Sequence, residues 1–94
     1  MYVISYDIEQ NRTRTRIAKI LESYGRRVQY SVFECDISQK QYEQLYQKLA
    51  ELMSEDVSGN IRFYHICRNC EARIVTMGVV DDGWLPGEKD LFII

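Results

Sequence analysis

The strictest constraint on the fold lies in the first eight residues, where side chains alternate along the chain. Tyr2, Ile4, Tyr6 and Ile8 fall on one side, and Val3, Ser5 and Asp7 on the other. A period of two is that of a β-strand. The first face reads as core, while the second is mixed and ends in an acid. Packed deep under helices, Asp7 would cost on the order of several kcal/mol unless paired or bound to a metal ion. At a solvated strand end it would merely cap a turn.

Arginines follow at once. From about Asn11 or Arg12 to Tyr24 the pattern is helical, with Gly25 as the expected stop. At about 100° per residue, Ile17, Ile20, Leu21 and Tyr24 form an apolar arc. Arg12, Arg16 and Lys19 form a basic stripe beside that arc, and Arg14 lies at its other edge. Such runs are ordinarily solvated helix faces. Here, however, cations at a helix start oppose the macrodipole, which suggests an external anion such as phosphate.

The net charge of −2 disguises a strong asymmetry. Arg12 to Arg27 holds six basic residues (Arg12, Arg14, Arg16, Lys19, Arg26, Arg27) against Glu22, which is +5; Glu34 to Ser58 holds six acids against two lysines, which is −4. A local basic stripe on an acidic body still attracts a phosphate backbone, because the field acts within a Debye length of about 8 to 10 Å.

Between Arg26 and Ile37 the apolar parity switches, from Val28, Tyr30 and Val32 to Phe33, Cys35 and Ile37. Two short strands, with a bulge or tight reversal near Tyr30 to Phe33, account for it. Ser38 and Gln41 form a capping-box pattern ahead of a helix whose stripe is Tyr42, Leu45, Tyr46, Leu49, Leu52 and Met53. A turn at Ser58-Gly59-Asn60 precedes a strand along Ile61, Phe63, His65 and Cys67, and Arg73 to Val79 reads as another. His65, the sole histidine, shares parity with core residues and is expected to be an interior or interface side chain. Asp81-Asp82-Gly83 and Pro86-Gly87 read as turns, and the closing Leu91-Phe92-Ile93-Ile94 as a strand added to a sheet edge, with a second subunit as candidate host.

Ninety-four residues suffice for one domain, and the 46% hydrophobic content supplies a core. The domain is expected over 1–80, with 81–94 as a tail ending in the docking strand. The opening apolar run is too short for a membrane span and lacks signal-peptide flanks, so a cytoplasmic protein without membrane association is expected. Cys35, Cys67 and Cys70 are odd in number, which suits a reducing compartment. Cys67-Arg68-Asn69-Cys70 lacks enough further ligands for zinc and is expected to supply small packing thiols, with a disulfide as the alternative. The order strand, helix, strand, strand, helix, strand predicts an α+β, ferredoxin-like βαββαβ sandwich with an additional C-terminal strand.

Several local motifs together carry a resemblance. Tyr6-Asp7-Ile8, the arginine-rich helix start, Tyr24-Gly25, the run Arg27-Val28-Gln29-Tyr30-Ser31-Val32-Phe33-Glu34, and Cys67-Arg68-Asn69-Cys70 resemble the CRISPR-associated protein two family. The resemblance extends to about Gly78. It implies a two-fold homodimer in which each subunit's Asp7 meets its copy, and either metal-dependent phosphodiester cleavage of RNA or DNA or a bridging role between integrase subunits in spacer acquisition. Ser31 and Phe33 match a segment that supports the site.

Chemistry points to the same doubling. One carboxylate is a poor Mg²⁺ site, whereas a residue near a two-fold axis meets its own copy at no cost in sequence. The expected assignments are Asp7 as ligand of Mg²⁺ (or Mn²⁺), Tyr6 as a catalytic positioning group, and Arg12, Arg14, Arg16, Lys19, Arg26 and Arg27 as nucleic-acid contacts. The alternatives are a purely structural DNA-binding bridge and a toxin-type endoribonuclease of similar fold.

Overall fold

The computed structural model describes residues 1–54, 57–80 and 90–92. Strand β1 (Tyr2–Ile8) leads to helix α1 (Asn11–Glu22), and β2 (Arg26–Gln29) and β3 (Val32–Cys35) form a hairpin. Helix α2 (Gln39–Met53) and β4 (Gly59–His65) follow, then the short α3 (Arg68–Glu71) and strands β5 (Gly78–Val80) and β6 (Asp90–Phe92). The order β2-β3-β1-β4 in one antiparallel sheet is the ferredoxin-like arrangement, so the α+β, ferredoxin-like βαββαβ expectation holds.

The alternation in β1 decides which side of the sheet the helices cover. Tyr2, Ile4, Tyr6 and Ile8 are buried with Ile17, Ala18 and Leu21 of α1, Leu45 and Leu49 of α2, and Phe33 and Cys35 of β3. Each fully buried leucine or isoleucine contributes roughly 1.5 to 3 kcal/mol. Val3 and Ser5 are half-buried and Asp7 is exposed on the other side. Neither long helix covers that side, because both pack their apolar arcs onto the first face.

The parity switch resolves into a reversal at Tyr30 and Ser31 and a bulge between Arg27 and Gln29. The capping box forms in full: the Ser38 hydroxyl accepts from the Gln41 amide at 3.2 Å, and the Gln41 side chain accepts from the Ser38 amide at 3.0 Å. Gly25 follows α1 for a different reason than expected. Its φ is not positive, but a Cβ there would collide with the Glu34 carbonyl and the Cys35 thiol, so the glycine lets the chain pass against β3.

Three expectations need correction. The strand expected from Arg73 shrinks to Gly78–Val80, because Arg68–Glu71 winds into a helical turn and Ile74, Val75 and Met77 are left exposed. Cys67 and Cys70 are exposed rather than packing thiols, whereas Cys35 is fully buried. His65 is exposed at its edge yet stacked on Tyr2, with ring centroids 4.7 Å apart. In the tail, β6 pairs antiparallel with β5, Val79 opposite Leu91. The turns expected within 81–89, and Ile93 and Ile94, lie outside the described residues.

Candidate nucleic-acid and metal site

Asp7 stands at the exposed end of β1, with Asn60 of β4 as its Cα partner. Residues directly opposite on neighbouring strands share a face. The uncovered face therefore carries Val3, Ser5 and Asp7 in the middle, Tyr64, Arg62 and Asn60 on the β4 side, and Glu34 and Val32 on the β3 side. Arg26 joins Glu34 across the outer pair, with the guanidinium 3.8 Å from the carboxylate.

The backbone that holds Asp7 depends on Gly59. Gly59 has φ of +115°, a left-handed value, and a Cβ there would overlap the Asp7 carbonyl oxygen. The turn Ser58-Gly59-Asn60 signalled a reversal; its role in clearing space beside Asp7 shows only in three dimensions.

Helix α1 starts at the same end of the sheet. Its N-cap, Gln10, makes no side-chain cap, and no acid stands in the first turn. Arg14 instead ties the helix to the strand: one guanidinium nitrogen donates to the carbonyls of Ile8 at 3.0 Å and Glu9 at 3.2 Å, and the other to Asn11 Oδ1 at 2.7 Å. Arg14 thus acts first as a brace, fixing the basic helix start relative to Asp7. Arg12, Arg16 and Lys19 are exposed, and among the described residues no hydrogen bond or ion pair engages their cationic groups.

Tyr6 and Arg27 work on the opposite side of the sheet. Tyr6 is buried and its hydroxyl donates to the Tyr30 carbonyl at 3.4 Å. Burial pushes the phenol upward from its ordinary pKa, against the opposing pull of Arg27 and Arg14. The Arg27 guanidinium lies 5.1 Å from the Phe33 ring centroid and 6.0 Å from that of Tyr30, with Glu22 at 4.0 Å. Ser31 contributes through its backbone, its carbonyl accepting from the Tyr6 amide at 3.1 Å. A cleft of about 320 Å³ runs along this side, lined by Tyr6, Arg14, Lys19, Arg27 and Tyr30 among others.

The structure therefore divides the sequence-predicted residues. Asp7 and Arg26 belong to the uncovered face, while Tyr6, Arg27 and Phe33 form one aromatic and cationic cluster beneath α1. Tyr6 does not meet Asp7, because adjacent strand residues point to opposite faces; its hydroxyl instead reaches the Tyr30 carbonyl. Glu22, Tyr30, Asn60 and Arg62 are partners that sequence reading missed. Cross-strand register, which brings Asn60 and Arg62 beside Asp7 and Ser5, carried no signal in the linear pattern.

The donor chemistry suits a hard cation, since Asp7 is an accessible carboxylate. Among the described residues no group of three or more His, Cys, Asp or Glu gathers to hold a metal ion. Mg²⁺ is usually held by one or two carboxylates together with water, so a second copy of Asp7 would suit such an ion.

The fold and site define a small ferredoxin-like protein with an acidic strand end framed by a basic helix. The sequence matches the family model described as CRISPR associated protein Cas2 over residues 1–74, and the chain belongs to that family. A relative from Chloroflexus aurantiacus, called CRISPR-associated endoribonuclease Cas2 1, is 44% identical over 94 residues, covering 99% of this chain and 98% of the relative. Among solved structures, Streptococcus pyogenes Cas2 at pH 6.5 is similar with a TM-score of 0.69 and 29% identity, over 82% of this chain and 98% of that one. A chain of a partial Cas6-RT-Cas1–Cas2 complex matches with a TM-score of 0.68 and 30% identity, over 80% of this chain and 87% of that one. Among the described residues, no helix is long and apolar enough to cross a membrane.

Proposed function

We propose that this CRISPR adaptation protein works as a homodimer that grips the nucleic-acid backbone and bridges integrase subunits during spacer acquisition, in the cytoplasm. The carrying observation is the junction of β1 and α1: an exposed Asp7 at the strand end, and on the other face a helix with exposed Arg12, Arg16 and Lys19 whose start Arg14 ties to the Ile8 and Glu9 carbonyls. The similar chain in the Cas1–Cas2 complex supports the integrase partnership. The uncovered sheet face supports the dimer, since half-buried Val3, Ser5 and Val32 need a covering layer. Exposed Ile74, Val75 and Met77, leading to β5, supply further apolar surface for a partner, which fits docking of the tail strand across the dimer.

In the same dimer, Asp7 and the partner subunit's Asp7 would hold a Mg²⁺ or Mn²⁺ ion. When bound, such an ion supplies Lewis-acid stabilisation of phosphoryl oxygens and a more acidic water. The chain's own residues do the rest. Arg12, Arg16 and Lys19 would hold phosphates by charge without reading bases, and Arg14 keeps that helix in register with Asp7. Arg26 and Arg27 lie further along the chain's basic segment, the first partly engaged by Glu34 and the second by Glu22 and two rings. The name endoribonuclease carried by the relatives supports phosphodiester hydrolysis. A purely structural bridge draws on the same cations. The family match favours both readings over a toxin-type ribonuclease.

Asp7→Ala separates the two. Loss of Mg²⁺- or Mn²⁺-dependent cleavage with integration intact supports a nuclease site that acquisition does not need. Cleavage unchanged in Asp7→Ala defeats the assignment of Asp7.

A further inference from the structure

Outside the nucleic-acid site, the most chemically distinctive pair in the molecule is Cys67 and Cys70. Both thiols are exposed, unlike Cys35. Cys67 is the N-cap of α3, in extended conformation, and Cys70 lies one helical turn on, with the Glu71 amide donating to the Cys67 carbonyl at 2.8 Å. One turn of helix separates Cα atoms by about 5 Å, within the span a disulfide accepts. At the first and fourth positions of one turn, the two side chains lie on the same face.

We infer that Cys67 and Cys70 form a thiol–disulfide exchange site, whose substrate is a low-molecular-weight disulfide and whose product is an internal Cys67–Cys70 bond. The Cys67 thiolate attacks one sulfur of the small disulfide, forming a mixed disulfide and expelling one thiolate. Cys70 then loses its proton and attacks the Cys67 sulfur, closing the internal bond and expelling the second thiolate. The dithiol gives up two electrons and two protons, and the small disulfide becomes two thiols.

The roles are asymmetric because the surroundings are. Hydrogen bonds from the Cys70 amide and thiol favour the Cys67 thiolate, whereas Cys70, as the donor beside that sulfur, is held toward its protonated form. Of the charged neighbours, Glu71 turns toward the Met1 ammonium at 3.9 Å, and Arg68 is exposed on the same turn. Cys35 does not compete, since burial pushes its thiol up to about 11. The site sits where the chain leaves the sheet: Ile66 and Met1 exchange backbone bonds of 2.8 and 3.2 Å just before Cys67, and β5 follows after Ile74–Met77. Oxidation would therefore staple the turn from which the tail departs, without touching Asp7.

The purified full chain, incubated anaerobically with oxidised glutathione and quenched in acid, is analysed by intact mass and peptide mapping. The expected product is lighter by two hydrogens, bonded Cys67 to Cys70, and restored by dithiothreitol. Cys70→Ser keeps a hydroxyl donor and should accumulate a glutathione adduct at Cys67 several-fold faster than Cys67→Ser does at Cys70. Stable glutathione adducts on both cysteines of the wild type, or an internal bond that involves Cys35, would overturn the inference. Equal adduct rates in the two variants would overturn the assigned roles.

Discussion

Gly59 lies so close to the Asp7 carbonyl across β4 and β1 that the glycine has no room for a side chain, and its φ of +115° is one that other residues rarely adopt. The acid's position is thus set by a residue that takes no part in any chemistry. Gly59→Ala should cost about 2 kcal/mol or more, from strain and displacement of the β1 end. Denaturant unfolding reads the loss, and any metal-dependent cleavage should fall with it. A variant as stable as wild type would show that the strand end yields freely.

The arginines of α1 should separate by function. Arg14→Ala removes bonds to the Ile8 and Glu9 carbonyls and to Asn11, and should destabilise by about 1 to 2 kcal/mol. Arg12→Ala and Arg16→Ala break no such bonds and should leave the melting temperature nearly unchanged. In duplex-DNA binding, each should instead lower the slope of log K against log salt by about 0.9 per phosphate contact removed. Unchanged slopes would take the stripe out of the interface.

The Arg27 guanidinium lies over the Phe33 and Tyr30 rings, so a lysine cannot replace it conservatively. Arg27→Lys should lower stability by about 1 kcal/mol and loosen Tyr6, whose hydroxyl lies in the same cluster. Amide exchange at Tyr6, whose N–H donates to the Ser31 carbonyl, would report it. A fully native Arg27→Lys would show that charge alone suffices there.

Alkaline pH should weaken the fold through two buried acids. Burial raises the Cys35 thiol to about 11 and raises the Tyr6 phenol above its ordinary value. Both are raised in the native state, so the unfolded chain ionises first. Stability is complete below the unfolded pKa values of about 9 and 10 and is lost as pH climbs through the native ones. The melting temperature should fall from about pH 9 upward, with Tyr6→Phe flattening the upper part of the decline. A flat profile to pH 11 would contradict the burial of both groups.

Much of this was legible because local rules and tertiary structure agree. The alternation of Tyr2 to Ile8 assigned core and open faces, the parity switch after Val32 located the hairpin, and Ser38 with Gln41 capped α2 as written. What was hidden depends on register or on close approach. Arg14 reads as one more cation until the Ile8 carbonyl is seen beside it, and Gly25 reads as a helix stop although its need is space against Cys35. Tyr6 and Asp7 are neighbours in sequence, and the pleat that the alternation announced is what puts them on opposite faces.

The central claim is that one site is completed by two copies of Asp7, and subunit mixing tests it directly. Wild-type and Asp7→Asn chains are mixed in varied proportion, allowed to exchange subunits, and assayed for Mg²⁺- or Mn²⁺-dependent phosphodiester cleavage. A shared site predicts activity that follows the square of the wild-type fraction, because only dimers with two carboxylates act. Activity that falls linearly with that fraction, or wild type that never cleaves, would contradict it.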